Sequence, residues 1–204
     1  MCVMVRACRR LIVLAGLLAA SCTTTPVPLK YDPGRAAVAA PSGQSVIEVA
    51  TVDDRRKVDV RWLGAIRGGF GNPLKKLEAE QPVAALVKQA FEDGLAARRL
   101  LAESGKGKFA FDLVINKLDC SQYVRREAHV DLDVHLISLA DGHTVFSGPV
   151  VVNRVSGSSV SLDVGIFASV EDLRQVMNEA LQEAVDRALD SPSMRARLNA
   201  KEPT

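Results

Sequence analysis

The residues with most chemistry to offer are concentrated in one stretch, His129-Val-Asp131-Leu-Asp133-Val-His135. On a strand with a period of two, all four polar side chains leave the same face, and imidazole and carboxylate are both zinc ligands. Reach argues against one shared ion, because six residues at about 3.3 Å each separate His129 from His135 by roughly 20 Å. A neighbouring pair could supply two ligands, with others needed from elsewhere. The plainer reading is the solvated face of an antiparallel strand, which takes polar residues. Asp53-Asp54 reads either as an acid/base pair or as a charged strand end, the commoner case. Cys120 has no base in its sequence context and reads as a small buried hydrophobe. His143 lies beside the same hairpin as the other two histidines. There is neither a G-x-S-x-G elbow nor an H-E-x-x-H helix. The expectation is therefore no enzyme, no cofactor and no metal.

Cys22 stands in a different setting. Arg6, Arg9 and Arg10 precede ten apolar or small residues, Leu11 to Ala20. That run is too short for roughly 30 Å of hydrocarbon, which takes about 20 residues, and reads as the apolar region of an export signal. It closes on Leu18-Ala19-Ala20-Ser21-Cys22, which resembles the lipobox of bacterial lipoproteins. The resemblance implies cleavage between Ser21 and Cys22, diacylglycerol on the Cys22 thiol and acylation of the freed amine. Cys8 and Leu11-Ile12 fit a twin-arginine signal poorly around Arg9-Arg10, which leaves the general secretory route. One acyl chain binds a membrane marginally, whereas two or three hold it stably. Thr23, in place of Asp, implies by the same resemblance release to the outer membrane, with the domain facing the periplasm.

Charge and cysteine usage agree with that address. The 204 residues carry 26 Lys+Arg and 24 Asp+Glu, a net charge of +2, without the basic surplus of a nucleic-acid binder. Removing residues 1 to 21 takes away those three arginines and no acid, so the mature chain falls to −1. Of four cysteines, Cys2 and Cys8 leave with the signal and Cys22 takes lipid. Cys120 alone cannot form a disulfide framework.

The elements that must position these residues follow from periodicity. Thr23 to Gly43 has four prolines and no period, so residues 22–44 read as the lipidated cysteine and a flexible tether. Ser45 to Val52 is β-branched, and Val58, Val60 and Trp62 alternate with Asp59 and Arg61 as a second strand. Gly64 to Gly71 lacks phosphate-loop spacing and reads as a hairpin or loop. A helix is expected from Gln81 or Pro82 to Leu101, with Gly94 allowing close approach of a strand. Phe109, Phe111, Leu113 and Ile115 form a strand with an irregularity near Lys117. Val130 to Leu136 follows as the next strand, then an Asp141-Gly142 turn and a return strand to Val155. Ser169 caps a second helix, whose apolar stripe runs from Leu173 to Leu189. Between them lies Ser158 to Ala168, where Val160, Leu162, Val164, Ile166 and Phe167 make either an edge strand or an apolar lip for a partner or lipid chain.

These patterns imply one α+β domain over residues 45–199, a two-layer sandwich with a mostly antiparallel sheet and two helices on one face; residues 200–204 form a disordered tail. The lipobox at Cys22, the strand ending in Asp53-Asp54-Arg55, the glycine-bearing Gly64 to Gly71 and the order of helices and strands resemble the YajG-like lipoproteins of Gram-negative bacteria. That family implies a membrane-anchored periplasmic domain and brings no catalytic residues. A second resemblance is to the auxiliary lipoproteins of ABC-type lipid transport systems, which share a lipidated α/β domain. The function expected is non-enzymatic binding or envelope assembly, with an accessory role in lipid transport as the alternative. The partners expected are the membrane, through the lipid, and an unidentified envelope protein or lipid.

Overall fold

The apolar stripe from Leu173 to Leu189 is one side of a helix spanning Val170–Leu189. The Ser169 hydroxyl caps it by accepting from the Asp172 amide at 3.3 Å. Glu171 and Asp172 stand in its first turn and Arg187 in its last, each opposing the helix dipole. The computed structural model describes residues 23–36, 46–157 and 169–199. Before this helix come strands β1 (Thr23–Val27), β2 (Ile47–Asp54), β3 (Trp62–Arg67) and β4 (Pro73–Ala79). Helix α1 (Val83–Ala97) leads to β5 (Phe109–Gln122), β6 (Arg126–Ser138) and β7 (Thr144–Ser156). The capped helix is α2, and α3 (Pro192–Asn199) ends the described chain.

All seven strands form one sheet in the order β1-β4-β3-β5-β6-β7, with β2 also on β5. The long β5 makes this arrangement possible. Its first half carries β2, its last three residues carry β3, and its other edge pairs with β6 throughout. Pairs β1/β4, β2/β5 and β3/β5 are parallel, while β3/β4, β5/β6 and β6/β7 are antiparallel. The sheet is mixed, not mostly antiparallel as expected. Alternation within a strand reports which face is buried and is silent about the direction of its neighbour.

The gap between β2 and β3 on the edge of β5 is filled by one side chain. Arg56 holds Asp54 through two hydrogen bonds of 2.8 Å and donates from Nη1 to the carbonyls of Trp62 (2.7 Å) and Leu118 (2.9 Å). This is where β5 slips register between Ile115 and Lys117, as its change of parity predicted. At the next crossing Gly64 is needed for space, since a Cβ there would stand 1.8 Å from the Cys120 carbonyl oxygen.

The buried faces of the sheet and helices share one core. Ala128, Val130, Leu132, Val134 and Leu136 line it from β6, and Leu173, Met177, Ala180, Leu181 and Ala184 from α2. Phe91 of α1 meets Phe111 of β5 edge to face, with ring centroids 6.0 Å apart. Gly94 does allow a close approach, but of α2 rather than a strand: a Cβ would stand 2.7 Å from Val185 Cγ1 and 2.9 Å from Leu189 Cδ1.

Three expectations need correcting. Val58 and Val60 are half exposed and lie outside any strand; β3 begins only at Trp62 and runs into the stretch read as a loop. Helix α1 stops at Ala97 instead of Leu101, because Arg98 turns into the core and Arg99 takes a φ of 57°. Of the stretch 22–44 read as a tether, residues 23–36 pack on the sheet and α2, and the rest lies outside the described residues. Thr23–Val27 adds to β4 in parallel, and Val27, Leu29 and Tyr31 are buried.

Candidate functional site

The structure gives several polar residues of β6 neighbours on adjacent strands, and His129 Nε2 also lies 3.9 Å from Glu127 on β6 itself. His129 Nδ1 lies 2.7 Å from Asn153 Oδ1, and His135 Nδ1 lies 2.9 Å from Ser147 Oγ. Asp133 accepts from Asn116 at 2.8 Å, and Asp131 lies in register with Lys117 and Val151. Among the described residues no three His, Cys, Asp or Glu side chains come together as a metal site. Asp53 and Asp54 are each engaged by their own arginine, Arg55 and Arg56, at 2.8 Å. Burial works against the Asp54 charge, but the hydrogen bonds and charge of Arg56 outweigh it and hold the carboxyl below its usual range. Burial, with Asp119 beside it, pushes the Cys120 thiol up to about 12, which leaves it unreactive. Ser21, Cys22 and the lip residues Val160, Leu162, Val164, Ile166 and Phe167 lie outside the described residues; Thr23 is the first residue of β1.

The densest polar constellation was not anticipated. After β1 the chain runs extended along α2, turning Val27, Leu29 and Tyr31 inward and Pro28 and Lys30 outward. Its backbone meets a row of side chains spaced four apart on the helix. The Pro28 carbonyl accepts from Arg174 Nη1 (3.2 Å), the Lys30 amide donates to Asn178 (2.8 Å), and the Asp32 amide donates to Gln182 (2.8 Å). The Tyr31 hydroxyl donates to Asp186 at 2.6 Å. The match is metric: two extended residues advance about 6.6 Å and four helical ones about 6.0 Å, so alternate strand positions keep step with the helix. The signal was present in Val27-x-Leu29-x-Tyr31, hidden by the prolines at 26 and 28.

Arg98, 1% exposed, locks the far end of this strap. It grips Asp190 with Nε (2.9 Å) and Nη2 (2.7 Å), and reaches Asp186 (2.9 Å), the Tyr31 hydroxyl (2.8 Å) and the Gly94 carbonyl (3.0 Å). Burial opposes its charge, but Asp190, Tyr31 and Asp186 together bind its proton more firmly than usual. Burial also raises Asp190, yet Arg98 and then Arg195 outweigh it and hold the carboxyl low. Burial and the hydrogen bond to Asp186 push the Tyr31 phenol up to about 12. The cluster is closed on itself and presents no group poised for proton transfer.

Between the strap and α1 lies a groove of about 520 Å³. Val27, Leu29, Leu86 and Ala90 form its apolar floor, while Lys30, Glu80, Gln81 and Asp93 stand at its rim. On α1 the positions 86, 89, 90 and 93 share one helical face, which gives the groove a straight wall. Its volume falls within the range of small-ligand sites, and because the floor residues are themselves buried, polar as well as apolar atoms border the opening.

A family model described as "Uncharacterized lipoprotein" matches residues 35–199. No curated protein matches the chain in sequence. Among solved structures, protein XCC0632 from Xanthomonas campestris superposes with a TM-score of 0.61 at 13% identity, over 87% of this chain and 98% of that one. A candidate lipoprotein from Caulobacter crescentus gives 0.45 at 17% identity, over 78% and 96%. Lipoprotein GNA1162 from Neisseria meningitidis gives 0.31 at 11% identity, over 72% and 100%. Of these three, the Xanthomonas protein alone is close enough in shape to bear on the fold.

Proposed function

The chain belongs to the uncharacterised lipoprotein family whose model it matches, the family of the YajG-like proteins, and from that premise we propose that it acts by binding, not catalysis, as an envelope lipoprotein. It is anchored through acyl chains on Cys22 in the outer membrane, and its two-layer domain faces the periplasm. The observation that carries this reading is the groove between the strap and α1. Its floor is apolar, Arg98 and Asp190 do not line it, and the hydroxyl of Tyr31, which does, is engaged by Arg98 and Asp186. The groove takes an extended apolar segment of a periplasmic partner, with Lys30, Glu80 and Asp93 at its rim setting register.

The same groove favours a second reading, an accessory subunit of an ABC-type lipid transport system, in which the occupant is an acyl chain. One experiment separates them. Photocrosslinkers at Gln81 and Gln89 in cells, with lipid extraction of the purified protein, are compared with an Ala90→Trp variant that fills the groove. Protein adducts lost in the variant support the first reading, and a co-purifying lipid lost in the variant supports the second. Adducts and lipids unchanged by Ala90→Trp would remove the groove from both.

A further inference from the structure

The strand register gathers one end of the molecule. Thr23, Lys75, Ile66, Gln122, Arg126 and Ser156 form a single row across the sheet. Beyond that row lie the turn between β3 and β4 and the hairpin between β5 and β6, and Thr23, where β1 begins, belongs to the row itself. Strands β1, β4, β3 and β5 are consecutive neighbours at a spacing of about 4.8 Å, so both turns lie within roughly 15 Å of the start of β1.

The β3–β4 turn holds an aromatic ring outward. Gly71 N–H donates to the Gly68 carbonyl and Gly68 N–H to the Asn72 carbonyl, each at 2.8 Å, and Arg67 Nη1 donates to the Gly71 carbonyl at 3.0 Å. At the tip Phe70 is 102% exposed. The Tyr123 hydroxyl donates to the Gly69 carbonyl at 2.7 Å, which joins the hairpin to the turn, while Tyr123 and Val124 stay 45% exposed. A phenyl ring in water on this loop, with Tyr123 and Val124 exposed on the hairpin joined to it, gives this end a small apolar patch. Arg67 and Arg125 stand at the tips and Lys76 one position inside the row, on a chain whose expected mature net charge is −1. Of the acids at this end, Asp172 is held by Arg126 at 2.6 Å and Glu127 lies at the base of the hairpin. Apolar tips ringed by cations suit the headgroup level of a bilayer, with rings at the acyl boundary and guanidinium and ammonium groups at the phosphates.

We infer that this end is a membrane-docking face. Phe70, Tyr123 and Val124 enter the headgroup region of the leaflet that carries the Cys22 anchor, and Arg67, Lys76 and Arg125 meet its anionic phosphates. The inference rests on the anchor reading for where the bilayer lies. Because Thr23 already belongs to the sheet, anchor and face engage the membrane together, each raising the effective concentration of the other. The strands then run away from the bilayer, and the turn at Asp141-Gly142 stands at the far end.

The test uses the purified full-length mature protein in phosphatidylethanolamine–phosphatidylglycerol vesicles that carry a doxyl lipid. A fluorophore is placed at Val124→Cys, or at Leu139→Cys beside the far turn. Quenching at 124 with none at 139, reduced several-fold by Phe70→Ser or Arg125→Glu, is the expected result. Equal quenching at the two positions, or none at either, overturns the docking face. Mass spectrometry of the Cys22 peptide from the same sample reads the anchor separately. If Cys22 is unmodified the anchor reading falls, and the 124 probe with added anionic vesicles still decides the face. A 124 probe shielded by a co-purified protein and unaffected by vesicles would assign this end to that protein and overturn the lipid reading.

Discussion

Arg98 is the residue on which the N-terminal strap depends. Its guanidinium meets two carboxylates, a phenol and a carbonyl, so removing it takes the guanidinium from Asp186 and Tyr31 and leaves Asp190 with Arg195 alone. Arg98→Met should lower stability by about 2–4 kcal/mol in urea unfolding, and Arg98→Lys should recover only part, because an ammonium cannot reproduce the two-nitrogen grip on Asp190. Asp190 and Tyr31 of this cluster, with Asp54 beside Arg56, set pH limits. Asp54 and Asp190 are held below their ordinary value of 3.8, so the stability they contribute is complete above that value and is lost as pH falls through their lowered values. Tyr31 is raised from 10.0 to about 12, so its contribution is complete below 10.0 and is lost as pH rises towards about 12. Urea midpoints across pH should show both limbs, and Tyr31→Phe should remove the tyrosine share of the alkaline one. None of this was legible beforehand: Arg98 reads as one more polar residue near a helix end, and its side-chain partners lie 67 to 92 positions away.

At the scale of elements, what was legible is what local periodicity determines. The stripe of α2, its Ser169 cap, the slip in β5 and the Asp141-Gly142 turn all depend on residues within a few positions of one another. What escaped notice depends on partners. β1 contains Pro26 and no alternation of its own, and it is a strand because β4 offers an edge. β4 reads Pro-Leu-Lys-Lys-Leu-Glu-Ala, which has no strand period, and is held between β1 and β3. The strap makes a sharp prediction here. Asn178→Ala with Gln182→Ala removes the acceptors of the Lys30 and Asp32 amides and should cost about 1–3 kcal/mol. Hydrogen exchange at those two amides should accelerate by roughly tenfold or more, with β6 amides protected as before. Fast exchange at Lys30 and Asp32 in the unaltered protein would return this segment to a flexible linker.

Over the whole molecule, a strap in place of a tether bears on how the proposed lipid anchor would hold the domain. A coil of about 20 residues would let it range some 25 Å from its anchor. With the lipid proposed on Cys22, a sheet that begins at Thr23 would hold the domain against the bilayer in one orientation, with the groove beside the strap and the Phe70 turn at the proposed anchored end. The account therefore turns on whether residue 22 carries the lipid. The direct measurement is tandem mass spectrometry of the N-terminal peptide of protein purified from the envelope of a lipoprotein-processing bacterium. The account predicts a mature chain beginning at Cys22, with diacylglycerol on its thiol and no trace of Ser21. A mature N-terminus elsewhere, or an unmodified Cys22, would contradict it.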